Sequence, residues 1–383
     1  MDFAFSEEQE ELRRSVRRFL DDRVPLPEVR RLMGTHDGYD GDVWRQMASQ
    51  LGLQGIAIPE QYGGAGCGYV ELIVVFEEMG RSLACLPYFS TIALGANAIL
   101  CSDDESAKAD LLPRIASGET VATLAFTEQN GSWDIAELSR EADEALAPCV
   151  ATPPSVGGGP WLLDGRKSYV IDGQAADLIM VCARTPGGLS LFALDGGAEG
   201  LERKALDTMD KTRKQAQLDL SGVPARLVGE EGGGSRILGK VLDLAAVALA
   251  GEQVGGAQQC LDMSVEYAKS RMQFARPIGS FQAIKHKCAD LLLEVSSARS
   301  AAYYAAWVAA EDSNELPVTA SLVKSYCSDA YFHAAAENIQ IHGAIGFTWE
   351  HDAHLYFKRA KSSELMFGEP SWHREHLMRR LGV

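Results

Sequence analysis

The sequence has no apolar run long enough to cross a bilayer. Its opening Met1-Asp2-Phe3-Ala4-Phe5 lacks the basic start and apolar stretch of a secretory leader, so none is expected. Basic charge is scarce. Lys and Arg number 36 against 53 Asp and Glu, a formal net charge of -17 at pH 7, which leaves no basic stripe to neutralise nucleic-acid phosphates or hold an anionic membrane surface. Nucleic acid and membrane are therefore excluded as expected partners. The eight cysteines (Cys67, Cys85, Cys101, Cys149, Cys182, Cys260, Cys288 and Cys327) are scattered, with no C-x-x-C pair and no dense framework. Such usage fits reduced thiols, so a cytoplasmic location without disulfides is expected. Against so acidic a field, an anionic ligand has to be held by local arginines, lysines and backbone N–H groups, which gives weight to each well-placed arginine.

What is present is enough apolar material, 46% of 383 residues, for more than one core. Ser6 with Gln9 forms a capping-box signal, and Leu12, Val16, Phe19 and Leu20 follow at i, i+4, i+7 and i+8, one buried stripe of a helix. A second helix runs through Trp44, Met47 and Leu51 to a stop at Gly52, and the apolar set Leu72 to Phe76 reads as a helix buried on most sides. The period then changes. Short β-rich runs occur at Val121 to Phe126, Lys167 to Ile171, Leu178 to Cys182, Leu189 to Ala193 and Ala216 to Leu220, divided by Gly, Pro and Asp turns. Asp164-Gly165 predicts a type I′ hairpin, Pro153 to Pro160 a surface loop, and Gly229 to Gly234 a linker. Helical periods return over Ile237 to Met272, Phe281 to Ala310, Pro317 to Ile341 and a shorter segment ending near Lys361. The expectation is a mainly α chain with a central β domain: an N-terminal helical domain (1–120), a small antiparallel β-barrel (121–228) and a C-terminal four-helix bundle (229–383).

The most specific stretch is Arg271-Met272-Gln273-Phe274-Ala275-Arg276-Pro277-Ile278-Gly279-Ser280-Phe281-Gln282-Ala283. Physically, a helix presents Arg271 near its end, Pro277 and Gly279 force a turn, and Ser280 can cap the next helix. Spacing alone allows equally a plain helix-turn-helix corner with a solvated arginine. The string, however, closely resembles the R-x-Q-F-G-x-P-I-G-x-F-Q-A signature of the acyl-CoA dehydrogenase family. A second segment, Gln340-Ile341-His342-Gly343-Ala344-Ile345-Gly346-Phe347-Thr348, resembles the family's Q-x-x-G-G-x-G-[FY]-T. Its glycines would let backbone approach a pyrophosphate, although alone they would read as a helix end. Leu124 to Glu128 and Arg166 to Gly173 resemble the two flavin-facing strands, with Thr127 and Tyr169 matching in role and Ile171 standing where a Thr is usual. Without the other matches these would be ordinary strand residues.

The resemblance covers essentially the whole chain. It implies the acyl-CoA dehydrogenase fold and an FAD shared between subunits: Thr127, Ser132, Tyr169, Val170 and Ile171 of one barrel, with Arg271, Phe274, Gln282, Gln340, Gly343 and Ala344 of the neighbouring bundle. It further implies an acyl-CoA substrate, electron transfer to an electron-transferring flavoprotein, and a dimer or dimer of dimers.

The family reaction needs a carboxylate base that takes the Cα proton while the Cβ hydrogen leaves as hydride. Both family positions for it are vacated here. One, before the Gly of [YF]-E-G-T, matches Phe367 in Met366-Phe367-Gly368-Glu369-Pro370, and the other, at D-x-E-R, matches Ala245 in Asp243-Leu244-Ala245-Ala246. Glu369 remains a candidate base, with a helix-capping or surface role as its equal alternative, and Glu252 is a weaker one. Chains of this pattern resemble those acting on bulky acyl groups such as steroid side chains, in which one of two unlike subunits carries the base. The expectation is thus a base-less partner in a heteromer. Its alternatives are a homomeric dehydrogenase using Glu369, a non-catalytic FAD-binding assembly subunit, and a relative with other flavin chemistry. His351-x-x-His354 and His373-x-x-His376 share helix faces, but without acidic or Cys ligands beside them no metal is expected.

Overall fold

The structure, a computed structural model, describes residues 6–139, 148–154 and 159–383. Met1 to Phe5, and residues 155–158 of the loop expected at Pro153 to Pro160, lie outside them.

The chain opens with α1 (Glu7–Arg23), α2 (Leu26–Leu32), α3 (Gly41–Leu51) and α4 (Tyr69–Ser82). A π-helical stretch, Phe89–Ala96, follows and then α5 (Asn97–Leu100) and α6 (Glu105–Ala116). The capping box at Ser6 is formed in both directions, and α3 stops at Gly52 in the left-handed conformation. Seven strands follow, β1 (Ala122–Ala125), β2 (Val150–Thr152), β3 (Trp161–Ile171), β4 (Leu178–Thr185), β5 (Gly188–Asp195), β6 (Leu201–Ala205) and β7 (Gln215–Val228), with α7 (Ile135–Ser139) between the first two. Strands β4, β2, β3, β7 and β5 close into a five-stranded barrel, β1 lies parallel to β4, and β6 pairs with β7. The helices α8 (Gly234–Ser270), α9 (Gln282–Ala310), α10 (Leu316–His342), α11 (Ala353–Leu365) and α12 (Pro370–Leu381) complete the chain, with a hairpin of β8 (Met272–Gln273) and β9 (Arg276–Pro277) between α8 and α9.

Three local expectations are corrected. Asp164-Gly165 is not a hairpin turn: β3 runs straight through it, and β7 answers with an extra residue, since Leu163 faces Val223 while Gly165 faces Leu220. Pairing with the full length of β7 overrides the local turn signal, and Asp164 instead accepts the Gly222 N–H at 2.8 Å. Ser280 does not cap α9, whose N-cap is Phe281 with no side-chain cap bond. The C-terminal helices number five rather than four, because Pro370 starts α12 in the first-turn position that proline suits.

The residues form two compact units. In the first (Met1–Arg31, Gly68–Ala84 and Ala246–Val383), α1 and α4 pack with the bundle helices. Buried Glu77 of α4 gathers Arg13 of α1 at 2.9 Å and Arg299 and Tyr303 of α9 at 2.8 and 2.6 Å. The α4–α8 crossing needs glycine, because a Cβ on Gly80 would lie 1.9 Å from the Glu252 carbonyl. The second unit (Leu32–Cys67 and Cys85–Ala245) holds the barrel, whose strands β4 and β5 are buried along most of their length. No helix among the described residues is long and apolar enough to cross a membrane, and all eight cysteines are free thiols.

Candidate functional site: a barrel rim and a bundle corner

The rim of the barrel is shaped by a bulge. Between the pairs Lys167–Leu218 and Val170–Ala216, β3 takes one extra residue, and Tyr169 sits there with φ +57°. The bulge turns the Tyr169 ring outward, leaving it 44% exposed, while Val170 and Ile171 stay buried. Thr127, just beyond β1, is buried, and its carbonyl accepts the Ser168 N–H at 2.9 Å. The chain then passes over the tyrosine, and a Cβ on Gly131 would lie 3.3 Å from the ring. Ser132 closes that loop, its N–H on the Asn130 side chain and its hydroxyl accepting from the Asp134 N–H. At position 171, where the family has a Thr, Ile171 offers a carbonyl that accepts the Thr123 hydroxyl at 2.6 Å.

Beneath the rim lies an ion pair that sequence reasoning missed. Lys167 is fully buried and its Nζ donates to Glu128 at 2.6 Å and to the Phe126 carbonyl at 3.2 Å. Glu128 also accepts the Cys149 N–H. One buried pair therefore ties the Thr127 segment to the Tyr169 segment. A lysine in the middle of a strand run was the available signal, but its partner is 39 residues away.

The second set stands at one end of the bundle. Ring contact between Tyr267 and His342, 4.2 Å between centroids, joins the C-terminal ends of α8 and α10, so Arg271 and the Gln340 to Ala344 segment are neighbours. Arg271 is exposed, and among the described residues it has no carboxylate partner. The β8–β9 hairpin projects next to it. Its two turn residues, Phe274 and Ala275, have φ +52° and +58°, a type I′ turn built without glycine. Phe274 at the tip is 87% exposed. Gln282 opens α9, exposed, and Gln340, Gly343 and Ala344 are exposed at the end of α10, Gly343 with φ +66°. Leu292, Leu293, Ile345 and Phe347 are also exposed.

These residues fit an FAD. A pyrophosphate calls for a cation, which Arg271 can supply, and a flavin ring calls for a flat aromatic face, which Tyr169 at the rim can supply.

The positions where the family carries its base are closed. Phe367 is buried with φ +60°, and Ala245 and Ala246 are buried small residues. Glu369 is exposed at the start of α12 and accepts the Ser371 hydroxyl at 2.7 Å. Glu252 is buried and bonded to Arg359 at 2.8 Å. The histidine pairs are engaged with neighbours: His354 stacks on Trp349, His351 packs on His342, and His373 donates to the Phe367 carbonyl at 3.0 Å. Among the described residues no three His, Cys, Asp or Glu side chains converge as metal ligands would.

A helical N-terminal region, a closed barrel, a helical bundle with an exposed hairpin and an uncommitted arginine define the architecture of a flavoprotein dehydrogenase of acyl thioesters. The family models for the acyl-CoA dehydrogenase N-terminal and C-terminal domains match residues 6–119 and 232–382. The chain belongs to the acyl-CoA dehydrogenase family, oxidoreductases acting on acyl-CoA. It is 34% identical over 375 residues to acyl-CoA dehydrogenase IpdE2 of Mycobacterium tuberculosis, covering 98% of this chain and 96% of that one. It is similar to the Tcur3481-Tcur3483 steroid ACAD (TM-score 0.85, 30% identity, 98% of each chain). The ChsE4-ChsE5 complex of Mycobacterium tuberculosis is also similar (TM-score 0.87, 27% identity, 100% of this chain and 99% of that one).

Proposed function

We propose that this chain is an FAD-binding subunit of an α,β-dehydrogenase for a bulky acyl-CoA, and that the catalytic base comes from a paralogous partner subunit. The observation that carries the reading is a mismatch within one chain: most residues that the family resemblance assigns to the cofactor are kept, while Phe367 and Ala245 occupy both positions of the family's carboxylate. Arg271 would hold the pyrophosphate of the neighbouring subunit's FAD with a charge-assisted bond, and Phe274, Gln282, Gln340, Gly343 and Ala344 would complete that side. On the barrel side Tyr169, Thr127, Ser132, Val170 and Ile171 would hold the flavin ring. Bound FAD supplies the hydride acceptor, and electrons leave to an electron-transferring flavoprotein. Glu369, exposed at a helix start, serves the charge balance of α12 rather than proton abstraction.

The names of the similar steroid ACAD and of the two-protein ChsE4-ChsE5 complex support the bulky-substrate, heteromeric form. The spans of the two family models support domain boundaries near 120 and 228. The deciding experiment measures flavin content and flavin bleaching by acyl-CoA thioesters for the chain alone and after co-expression with a paralogue that keeps E-G-T or D-x-E-R. Bound flavin that bleaches only in the co-expressed complex is expected. Brisk turnover by the lone chain that Glu369→Gln abolishes would instead establish a homomeric enzyme with Glu369 as its base.

A further inference from the structure

The buried Lys167–Glu128 pair sits where two rim segments leave the barrel sheet. Lys167 pairs with Leu218 of β7 and is the last residue of β3 in regular register before the bulge at Tyr169. Glu128 lies just beyond the end of β1. The Lys167 Nζ donates to the Glu128 carboxylate at 2.6 Å and to the Phe126 carbonyl at 3.2 Å, and the Ser168 N–H donates to the Thr127 carbonyl at 2.9 Å. Residues 126, 127 and 128 are thus each bonded to residue 167 or 168. Glu128 then begins the turn that lies over the tyrosine: its carbonyl accepts the Gly131 N–H at 3.1 Å, and a Cβ on Gly131 would lie 3.3 Å from the Tyr169 ring. Trp133 closes the same loop by packing on the Phe126 ring, with 5.8 Å between centroids.

An ion pair is an expensive filling for such a place. Burial pushes the thiols of Cys149 and Cys182, both within electrostatic reach of the pair, up to about 11 and about 12. Well-packed apolar residues of similar volume often replace a buried pair at no loss of stability. What they lack is direction. The ammonium draws one main-chain carbonyl and one carboxylate to fixed points, and Glu128 also accepts the Cys149 N–H at 3.4 Å.

We propose that Lys167 and Glu128 are positioning residues for the cofactor: they latch the loop from Thr127 to Trp133 against the β3 bulge and so fix how the Tyr169 ring is presented at the rim. The proposal rests on the reading of that rim as the barrel side of the FAD site and deepens it. Both side chains are buried while the Tyr169 ring is exposed, so the pair acts through Thr127 and Tyr169. Losing the latch frees the ring from the loop above it, and a ring that is no longer held in one orientation binds a flat partner less well.

The test uses the full-length chain, together with a base-carrying paralogue if flavin uptake requires one, and compares wild type with Lys167→Met/Glu128→Gln, which removes both charges at once. Three quantities are measured: the fluorine NMR signal of 3-fluorotyrosine in place of Tyr169 in flavin-free protein, the affinity for added FAD, and the urea midpoint. In the double variant the fluorine signal should move, and FAD affinity should fall about threefold to tenfold, the worth of one well-placed aromatic contact. The urea midpoint should change little. A purely structural pair would do the reverse, lowering the midpoint while signal and affinity stay as in wild type, and that result overturns the proposal. A moved signal with unchanged FAD affinity also overturns it. Should the double variant not fold, Glu128→Asp decides, since it keeps both charges and shortens the latch by one methylene: a moved signal with weaker FAD binding supports the proposal, and wild-type values refute it. Failure of the underlying reading shows separately, as Tyr169→Ala protein that binds FAD with wild-type affinity.

Discussion

Arg359 donates to Glu252 at 2.8 Å, and both side chains are buried within the bundle. The pair joins α11 to α8 and commits the Glu252 carboxylate to a structural role. Removing one member leaves the other charge buried without its partner. Glu252→Gln and Arg359→Met should each lower the unfolding free energy by about 3–5 kcal/mol. The double replacement Glu252→Leu/Arg359→Met should cost clearly less than their sum. Urea unfolding of the three variants checks this, and additive losses would argue against the coupling.

Arg271 has no carboxylate partner among the described residues, so its loss should leave the fold intact and act on the cofactor. Arg271→Ala removes a charge-assisted contact worth ~1.5–3 kcal/mol, which lowers FAD affinity by about one to two decades. Titration of apoprotein with FAD measures it. Unchanged affinity in a well-folded variant would remove this residue from the site.

The hairpin tip carries Ala275 at φ +58°, where the family signature has glycine. An L residue there is strained by roughly 1 kcal/mol or more. Ala275→Gly should therefore stabilise the isolated chain, raising its melting temperature by about 2 °C, without altering flavin content. A lower melting temperature would mean the alanine methyl makes a contact of greater worth than the strain it causes.

Two buried basic side chains, Lys324 on the Gly368 carbonyl at 3.1 Å and His373 on the Phe367 carbonyl at 3.0 Å, predict an unusual pH dependence. Burial, and secondarily Lys324, lowers the His373 pKa from 6.5 to about 3. The unfolded chain therefore takes up this proton first: the contribution of His373 to stability is complete above pH 6.5 and is lost as pH falls toward 3, by up to about 1.4 kcal/mol per pH unit. Burial likewise lowers Lys324 from 10.5 to about 7. Between those values the unfolded chain holds a proton that the folded chain has released, so stability rises as pH is raised from 7 toward 10.5. Urea midpoints across both windows should lose their acid slope in His373→Gln and their alkaline rise in Lys324→Met. Parallel profiles for wild type and variants would show that these groups titrate normally.

Much of the architecture was legible in the sequence because it is local. The Ser6 capping box, the stop at Gly52 and the helical stripes are written within a few residues of where they act, and the order helices, strands, helices follows from a change of hydrophobic period. The signature around Arg271 and the Gln340 to Thr348 segment pointed to the family that the two domain models bear out, since a turn between helices constrains residue type at fixed spacing. The residues at the two positions where the resemblance puts the family's base, Phe367 and Ala245, are likewise read directly. Tertiary structure alone decided the rest, through pairings between residues far apart in sequence. Asp164-Gly165 has the chemistry of a hairpin turn, yet β3 continues through it because the fourteen residues of β7 and closure of the barrel supply more hydrogen bonds than a two-residue turn can. Lys167 finds Glu128 at a separation of 39 residues, and Lys324 reaches the Gly368 carbonyl at one of 44. Whether a buried cation is satisfied depends on the acceptors the fold brings to it, which no local pattern of residues encodes.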